Sequence, residues 1–507
     1  MVELKLSKFF ESIHHTREGR PYFKAYAAGE WVESAEWTPV YSPIDDSVIG
    51  YVPKLTYGDV DKVVGRVYEQ GRWSIRNTPG YKRVSLMFRI ADLLEKYSED
   101  FVQALVLNTG KTYPQAKGEL NASISRLRDS TLDARKVPGE YIAGDWDQST
   151  LETEAIVRKE PFGVVLAIIP FNYPLFDSVT KFVYSAISGN AVIIKPPSAD
   201  PLPVLMFAKV VEESGFPRDS FAVLTLPGKE TDPLVADKRI SVVSLTGSSS
   251  TGRHVLAVGG VKQYIMELGG GDPAIVLADA DLDQAAKAVA AGIYSYAGQR
   301  CDAIKLILVE EKVYEEFKKR LVEELKKVKV GDPRDSSTVM GPLISRDAVE
   351  NMMGAIKDAL AKGGVLLYGG RHLGGNYVEP TLVEISSHEK LAEMRLYKEE
   401  VFAPVALITS FRDLDEAIKI ANGREYGLDA AVFGKDVDRI RKVIRYLEVG
   451  AVYVNDMPRH GIGYYPFGGR KSSGIGREGI GYSVEYVMTT KTVIFNFKGK
   501  GVYNYLI

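Results

Sequence analysis

One cysteine, Cys301, occurs in the whole chain, at the end of Tyr296-Ala297-Gly298-Gln299-Arg300-Cys301. A single thiol makes neither an intrachain disulfide nor a thiolate metal cluster, so no metal site is expected from it. Two roles remain open. It is a small buried hydrophobe, or it is a nucleophile, because a thiol attacks a carbonyl carbon readily once its proton is removed. Gly298 and Gln299 interrupt the helical pattern of residues 282–296, which puts the thiol where an element ends. Arg300 beside it is a fixed positive charge that favours a thiolate or an anionic substrate. A thiol used as a nucleophile needs donors for the oxyanion it creates and a base within reach.

The composition limits what can surround this thiol. A chain of 507 residues suggests about three domains. Apolar residues at 45% and charged residues at 26% are the balance of an ordinary globular protein. A formal net charge of −2 gives no reason to expect nucleic acid or a membrane surface as partner. Residues 1–20 are charged and lack an apolar h-region, so no signal peptide is expected. No apolar run nears the ~20 residues of a membrane-spanning helix. One cysteine fits a reducing cytoplasm, and the expected location is cytoplasmic. Scarce Asn and Gln, with mixed-sign charge over 314–329, are features of thermophile proteins.

The elements that must position the thiol follow from periodicity. Residues 1–60 read as short strands and turns, and 57–136 as helices, with apolar residues three and four apart at 84–94 and 101–107. Residues 139–158 alternate around Gly144-Asp145 and predict a hairpin, packed on its own body or paired with another chain. From 161 the chain alternates between strands (164–169, 191–195, 221–225, 240–245, 264–268) and helices (175–188, 203–214, 250–258, and a short one near Pro233). Near-continuous apolar strands between helices imply a parallel sheet covered on both faces. Ligands of such sheets bind beyond the carboxyl ends of the strands. There the sequence places Pro170-Phe171-Asn172-Tyr173, Lys195-Pro196-Pro197-Ser198, Thr246-Gly247-Ser248 and Glu267-Leu268-Gly269-Gly270. A second alternating unit, 273–464, predicts strands at 274–277, 304–309, 365–368, 405–410 and 451–454. Gly269-Gly270-Gly271 is the natural hinge between the units. The tail alternates at 493–498 and 502–505, a strand in search of a sheet edge, with a partner subunit as one destination.

Read singly, these strand-end residues carry little. No G-x-G-x-x-G is present. Residues 247–252, Gly-Ser-Ser-Ser-Thr-Gly, form a strand-to-helix turn whose N–H groups suit a phosphate or make only a turn. Lys195 is a ribose or phosphate ligand or a solvated lysine. Glu267 is a base or a strand-end partner for a lysine.

Taken together in order, these motifs resemble the aldehyde dehydrogenase superfamily over nearly the whole chain. They are joined by Gly298-Gln299-Arg300-Cys301, Glu400-Val401-Phe402-Ala403-Pro404, and Pro466-Phe467-Gly468-Gly469 with Ser473-Gly474. Within it the chain is most similar to the archaeal non-phosphorylating glyceraldehyde-3-phosphate dehydrogenases, through residues 269–273, 294–302 and 455–465. The resemblance implies an α/β aldehyde dehydrogenase fold with three parts. A Rossmann-like nucleotide-binding domain takes 1–138 and 160–267, and an α/β catalytic domain takes 268–465. A small β oligomerisation element takes 139–159 and 487–507, and 466–486 returns to the first domain. A homotetramer is the implied assembly, with a dimer left open.

The resemblance also implies roles. Cys301 attacks an aldehyde, the Asn172 amide and the Cys301 N–H hold the oxyanion, and Glu267 activates the water that releases the acid. The cofactor is NADP or NAD. Glu400 and Phe402 would hold its nicotinamide ribose and ring, Lys195 and Ser198 its adenosine ribose, and Gly247 and Ser248 its pyrophosphate, with Pro170, Phe171 and Leu268 lining the site. Many NAD-preferring relatives carry Glu where Ser198 stands, so NADP is expected to be accepted, with the preference between NADP and NAD left open. Arg300, Arg459 and Tyr173 point to a small phosphorylated aldehyde, since guanidinium suits phosphate. A helix arginine, Arg126 or Arg128, is a further candidate. The expected reaction is glycolytic: irreversible oxidation of D-glyceraldehyde 3-phosphate to 3-phosphoglycerate without inorganic phosphate. Alternatives are another aldehyde such as succinic semialdehyde, a CoA-acylating relative, which Glu267 disfavours, or an inactive homologue that only binds, against which stand the intact Asn172, Glu267, Cys301 and Glu400.

Overall fold

A computed structural model of the chain describes residues 3–461 and 463–497. Its first large sheet has eight strands in the order Gly474–Ile475, Gln263–Glu267, Val242–Thr246, Val164–Ile168, Ala191–Lys195, Phe221–Val223, Ala25–Ala27 and Trp31–Val32. The five strands from Gln263–Glu267 to Phe221–Val223 are parallel and the others antiparallel. The chain leaves Val164–Ile168 toward one edge and later returns to its other side. The order therefore reverses between Val164–Ile168 and Val242–Thr246, which opens a crevice beyond their carboxyl ends. The predicted strands are recovered here, mostly within a residue or two of the expected ends.

Helix Pro174–Ser188 starts on Pro174, whose fixed φ suits a first turn, and stops at Gly189 with φ +94°. All fifteen of its residues are buried, because it lies between the sheet and helix Tyr113–Arg128. The latter is opened by a capping box between Thr112 and Gln115.

The second sheet has seven strands in the order Val365–Tyr368, Thr381–Glu384, Val405–Phe411, Ile304–Glu310, Asp272–Val276, Asp429–Phe433 and Ala451–Val454. All are parallel except the first. Alternate residues feed opposite faces: Ile275, Leu306, Leu308 and Leu407 enter one core, and Ala274, Val276, Ile307 and Ile408 the other. Thr381–Glu384 and Asp429–Phe433 were not expected. Each is short, and neither opens on an apolar residue.

Gly269-Gly270-Gly271 joins the sheets, but its glycines serve close approach rather than hinge freedom. An added Cβ would lie 2.2 Å from Glu400 Oε2 at Gly269, 2.0 Å from the Cys301 carbonyl at Gly270, and 2.5 Å from the Arg424 guanidinium at Gly271.

The hairpin exists as Glu140–Ala143 and Thr153–Pro161, with two short 3-10 turns between them. The tail strand Met488–Asn496 pairs antiparallel with Thr153–Pro161 of its own chain and forms the outer strand of a three-stranded sheet. The expected alternation at 502–505 lies outside the described residues. No described helix is long and apolar enough to cross a membrane.

Candidate active site

Asn172, Tyr173, Glu267, Arg300, Cys301 and Arg459 line one cavity of about 530 Å³ between the two sheets. The sequence also places Lys195, Ser198, Gly247, Ser248, Glu400, Phe402, Pro170, Phe171 and Leu268, which lie along the adjoining strand ends and in the 400–404 loop rather than in the cavity wall.

Helix Leu282–Tyr294 ends two residues earlier than the pattern suggests. Tyr296, Ala297 and Gly298 then follow with φ of 49°, 52° and 65°. Left-handed backbone at two non-glycine residues is strained, and this turn delivers Cys301 to the cavity. Lys305, fully buried, holds the turn by donating to the carbonyls of Gly298 (3.0 Å) and Ala403 (2.5 Å). Cys301 is half-buried. Desolvation, reinforced by the charges of Asp302 and Glu400, pushes its thiol well above the usual range. Arg300 does not offset this, because its Nη2 donates to Asp302 at 3.0 Å and to the Pro458 carbonyl at 2.7 Å. The expected thiolate-favouring role of Arg300 is therefore corrected by a carboxylate one residue beyond the thiol.

Asn172 stands in the short turn between Val164–Ile168 and helix Pro174–Ser188, 5% exposed. Its side-chain amide has no protein partner among the described residues, which leaves it available to a developing oxyanion.

Glu267 ends its strand 2% exposed, and neither carboxylate oxygen has a hydrogen-bond partner among the described residues. Desolvation and the neighbouring Glu478 push its carboxyl well above the usual range, against the opposing charges of Lys181 and Arg477. Lys181 Nζ donates to Glu478 Oε1 at 2.7 Å, with both side chains almost wholly buried. Asp177, also lining the cavity, is pushed up to about 8, chiefly by burial. Carboxyls shifted upward by burial and lining the same cavity as a thiol are suited to proton transfer.

The cofactor residues fit a dinucleotide. Ser248 caps helix Ser249–Gly259, accepting from Thr251 N at 3.2 Å, so the helix N-terminus opens at the crevice. At Gly252 an added Cβ would lie 2.5 Å from Leu268 Cδ1, so glycine is what lets this helix close on its strand. Lys195 is 8% exposed and, among the described residues, hydrogen-bonds only Ser198 Oγ, at 3.4 Å. Burial lowers its ammonium to about 8 against the opposing charge of Asp200. A buried cation with no carboxylate in hydrogen-bond contact is a receptor for anionic or hydroxyl oxygens. Glu400 accepts from Gly270 N at 2.9 Å and is raised to about 7 by burial. Phe402 and Phe171 meet edge to face at 5.7 Å, forming an aromatic corner.

The cations divide. Arg300 is buried and paired, whereas Arg459 is at the mouth, its side chain 55% exposed, on Asp456 at 2.5 Å. Neither helix arginine lines the cavity. Arg126 is wholly buried on Asp133, and Arg128 is on the outer surface with Asp92 and Glu95. Sequence reasoning missed Lys111, Glu119, Asp302, His460 and Glu478, all of which line the cavity. Asp302, next to Cys301, His460, beside Arg459, and Glu478, just past Ser473-Gly474, lay close to a motif.

The family described as Aldehyde dehydrogenase family matches residues 31–493. The NADP-dependent glyceraldehyde-3-phosphate dehydrogenase of Streptococcus equinus is 34% identical over 477 residues, 94% of this chain and 98% of that one. A lactaldehyde dehydrogenase of Methanococcus aeolicus is 32% identical over 475 residues, covering 93% and 99%. The crystal structure of NADP-dependent glyceraldehyde-3-phosphate dehydrogenase from Bacillus halodurans complexed with NADP superposes with a TM-score of 0.90 at 32% identity, covering 94% of this chain and 99% of that one.

Proposed function

The chain belongs to the aldehyde dehydrogenase family, and from that premise we propose that it oxidises D-glyceraldehyde 3-phosphate to 3-phosphoglycerate with NADP or NAD and without inorganic phosphate. The observation that carries the reading is the meeting of Cys301, Asn172 and Glu267 in one cavity with Arg459 at its mouth.

In the proposed reaction the Cys301 sulfur bonds to the aldehyde carbon as its proton passes to solvent, directly or by way of Glu267, which is left ionised for the later step. The Asn172 amide and the Cys301 N–H hold the resulting oxyanion. NAD(P), when bound, supplies the acceptor for the hydride that leaves this carbon. Glu267 then takes a proton from water, which attacks the thioester carbon, and the carbon–sulfur bond breaks to release the acid and the thiol. Lys195 and Ser198 face the adenosine ribose, and the absence of a carboxylate at 198 favours a 2′-phosphate. Gly247 and Ser248 face the pyrophosphate, and Glu400 with Phe402 the nicotinamide end.

Arg459 takes the substrate phosphate in place of Asp456. An exposed pair of this kind is worth only about 0–1 kcal/mol, and a phosphate offers a stronger bidentate partner. Arg300 keeps Asp302 through Nη2 and faces the substrate with the rest of its fork, and Tyr173 adds a hydroxyl. The assembly is proposed as a homotetramer through the sheet 140–161 and 488–496. Its Tyr141, Ile142, Ile494 and Phe495 are exposed apolar residues.

A second reading, a small uncharged hydroxyaldehyde such as lactaldehyde, is favoured by one observation: both guanidiniums at the cavity already carry carboxylate partners. Succinic semialdehyde would meet the same cations with a carboxylate. Steady-state kinetics with each aldehyde, NADP and NAD, in phosphate-free buffer, decide among them. The expected result is the highest kcat/KM for glyceraldehyde 3-phosphate with NADP. A higher value for lactaldehyde or succinic semialdehyde overturns the substrate, and an NADP-to-NAD ratio far below one overturns the cofactor preference. An inactive homologue would give no NAD(P)H with any of them.

A further inference from the structure

Two buried side chains connect the oxyanion donor to the turn that carries the thiol. Lys111 is 1% exposed. Its ammonium donates to the Glu119 carboxylate and, at 2.6 Å, to the backbone carbonyl of Asn172. The same ammonium stands 3.9 Å from the centre of the Tyr173 ring and 4.5 Å from that of Tyr296. Glu119 uses its other oxygen on the N–H groups of Leu175 and Phe176, at 3.0 and 3.1 Å. These belong to the otherwise unpartnered donors that open helix Pro174–Ser188. Tyr296 in turn donates its hydroxyl to the Thr109 carbonyl at 3.0 Å, two residues before Lys111.

We propose that the Lys111–Glu119 pair is a positioning device for the oxyanion site, fixing the 172–176 backbone so that the Asn172 amide is aimed at the carbonyl attacked by Cys301. The Asn172 side chain has no protein partner of its own among the described residues, so its direction is set by its backbone. That backbone is gripped at its carbonyl by Lys111 and three and four residues on by Glu119. The ammonium also lies against the ring of Tyr296, but the Cys301 turn that begins there is held separately by Lys305 through the Gly298 and Ala403 carbonyls. Stability alone is a poor reason for such a pair. Desolvation offsets most of the attraction in a buried ion pair, and apolar replacements are often no worse. The geometry it imposes is the better reason.

This inference rests on the oxyanion role proposed for Asn172. Lys111→Met and Glu119→Gln are each made alone and on Asn172→Ala, with kcat for the aldehyde and the alkylation rate of Cys301 by iodoacetamide as readouts. Expected is a loss of about tenfold or more in kcat from either change, below the roughly 10²–10³-fold of losing a donor outright, with alkylation unchanged. On Asn172→Ala each change should cost less than a further twofold, because the amide it positions is gone. Equal fold losses on both backgrounds, or alkylation falling in step with kcat, would overturn the positioning role. If Lys111→Met does not fold, Glu119→Gln carries the comparison, since its amide oxygen still accepts from Leu175 and Phe176. A wild-type kcat for Asn172→Ala itself would sink the oxyanion reading instead.

Discussion

The floor of the cavity and its mouth differ in how firmly they are built. At the floor, Asn172, Glu267 and Cys301 sit at a turn, a strand end and a strained loop, each held by buried hydrogen bonds or close-packed glycines. At the mouth, Arg459 is exposed on a loop and paired with an exposed aspartate. On the proposed reading, the contrast teaches that the chemistry is fixed by the fold, whereas the choice of aldehyde depends on an exposed ion pair weak enough to exchange partners with the substrate.

Breaking the floor should have the largest effect. Cys301→Ser is expected to lower kcat by about 10³-fold or more, since the weaker nucleophile stalls the first step, read from NADPH absorbance. Activity within tenfold of the parent would remove the thiol from the reaction. Glu267→Gln is expected to cost about 10²–10³-fold in steady state while leaving a burst of one NADPH per subunit in rapid mixing. Loss of the burst as well would mean that Glu267 also deprotonates the thiol.

At the mouth the effects should be smaller and fall on KM. Arg459→Ala is expected to raise KM for glyceraldehyde 3-phosphate about tenfold, the ~1.4 kcal/mol of a charge-assisted bond, with kcat changed less than twofold and uncharged aldehydes unaffected. An unchanged KM would favour the lactaldehyde reading. The smallest effect concerns Lys195, which burial lowers to about 8. It is charged below that pH and neutral above it, so its hold on a 2′-phosphate should fade as pH rises. KM for NADP should increase several-fold between pH 7 and 9, and KM for NAD much less. Parallel changes would point away from Lys195 as the phosphate partner.

The parallel sheet and its strand-end motifs were legible because apolar strands and turn residues are local signals. Cys301, Glu267 and Asn172 could be read as a set only through their order along the chain, since no spacing links residues 172, 267 and 301. The electrostatics were less accessible. Asp302 cancels Arg300 through a fold that bends the loop back on itself, a contact that adjacency suggests but cannot orient. Lys111 and Glu119 left no trace in periodicity, because a lysine in the loop before helix Tyr113–Arg128 and a glutamate on that helix read as two surface charges. The two missed strands lack the β-branched run that marks a buried strand: Thr381–Glu384 has polar ends, and Asp429–Phe433 opens on aspartate and two alanines.

Glu267, the proposed base, depends on residues 467–478. Gly474 pairs with Glu267 across the sheet edge, and Leu268 N donates to the Ser473 carbonyl at 3.0 Å. Glu478 reaches Lys181 across 297 residues of sequence. Contacts of such separation form late, after local helices and neighbouring strands. During synthesis the nucleotide sheet can assemble while its base still lacks a wall, so the enzyme gains activity only when residues 467–478 dock. In refolding experiments, aldehyde oxidation should lag behind the return of secondary structure, and a chain cut before 467 should keep much of its helix content while turning over nothing.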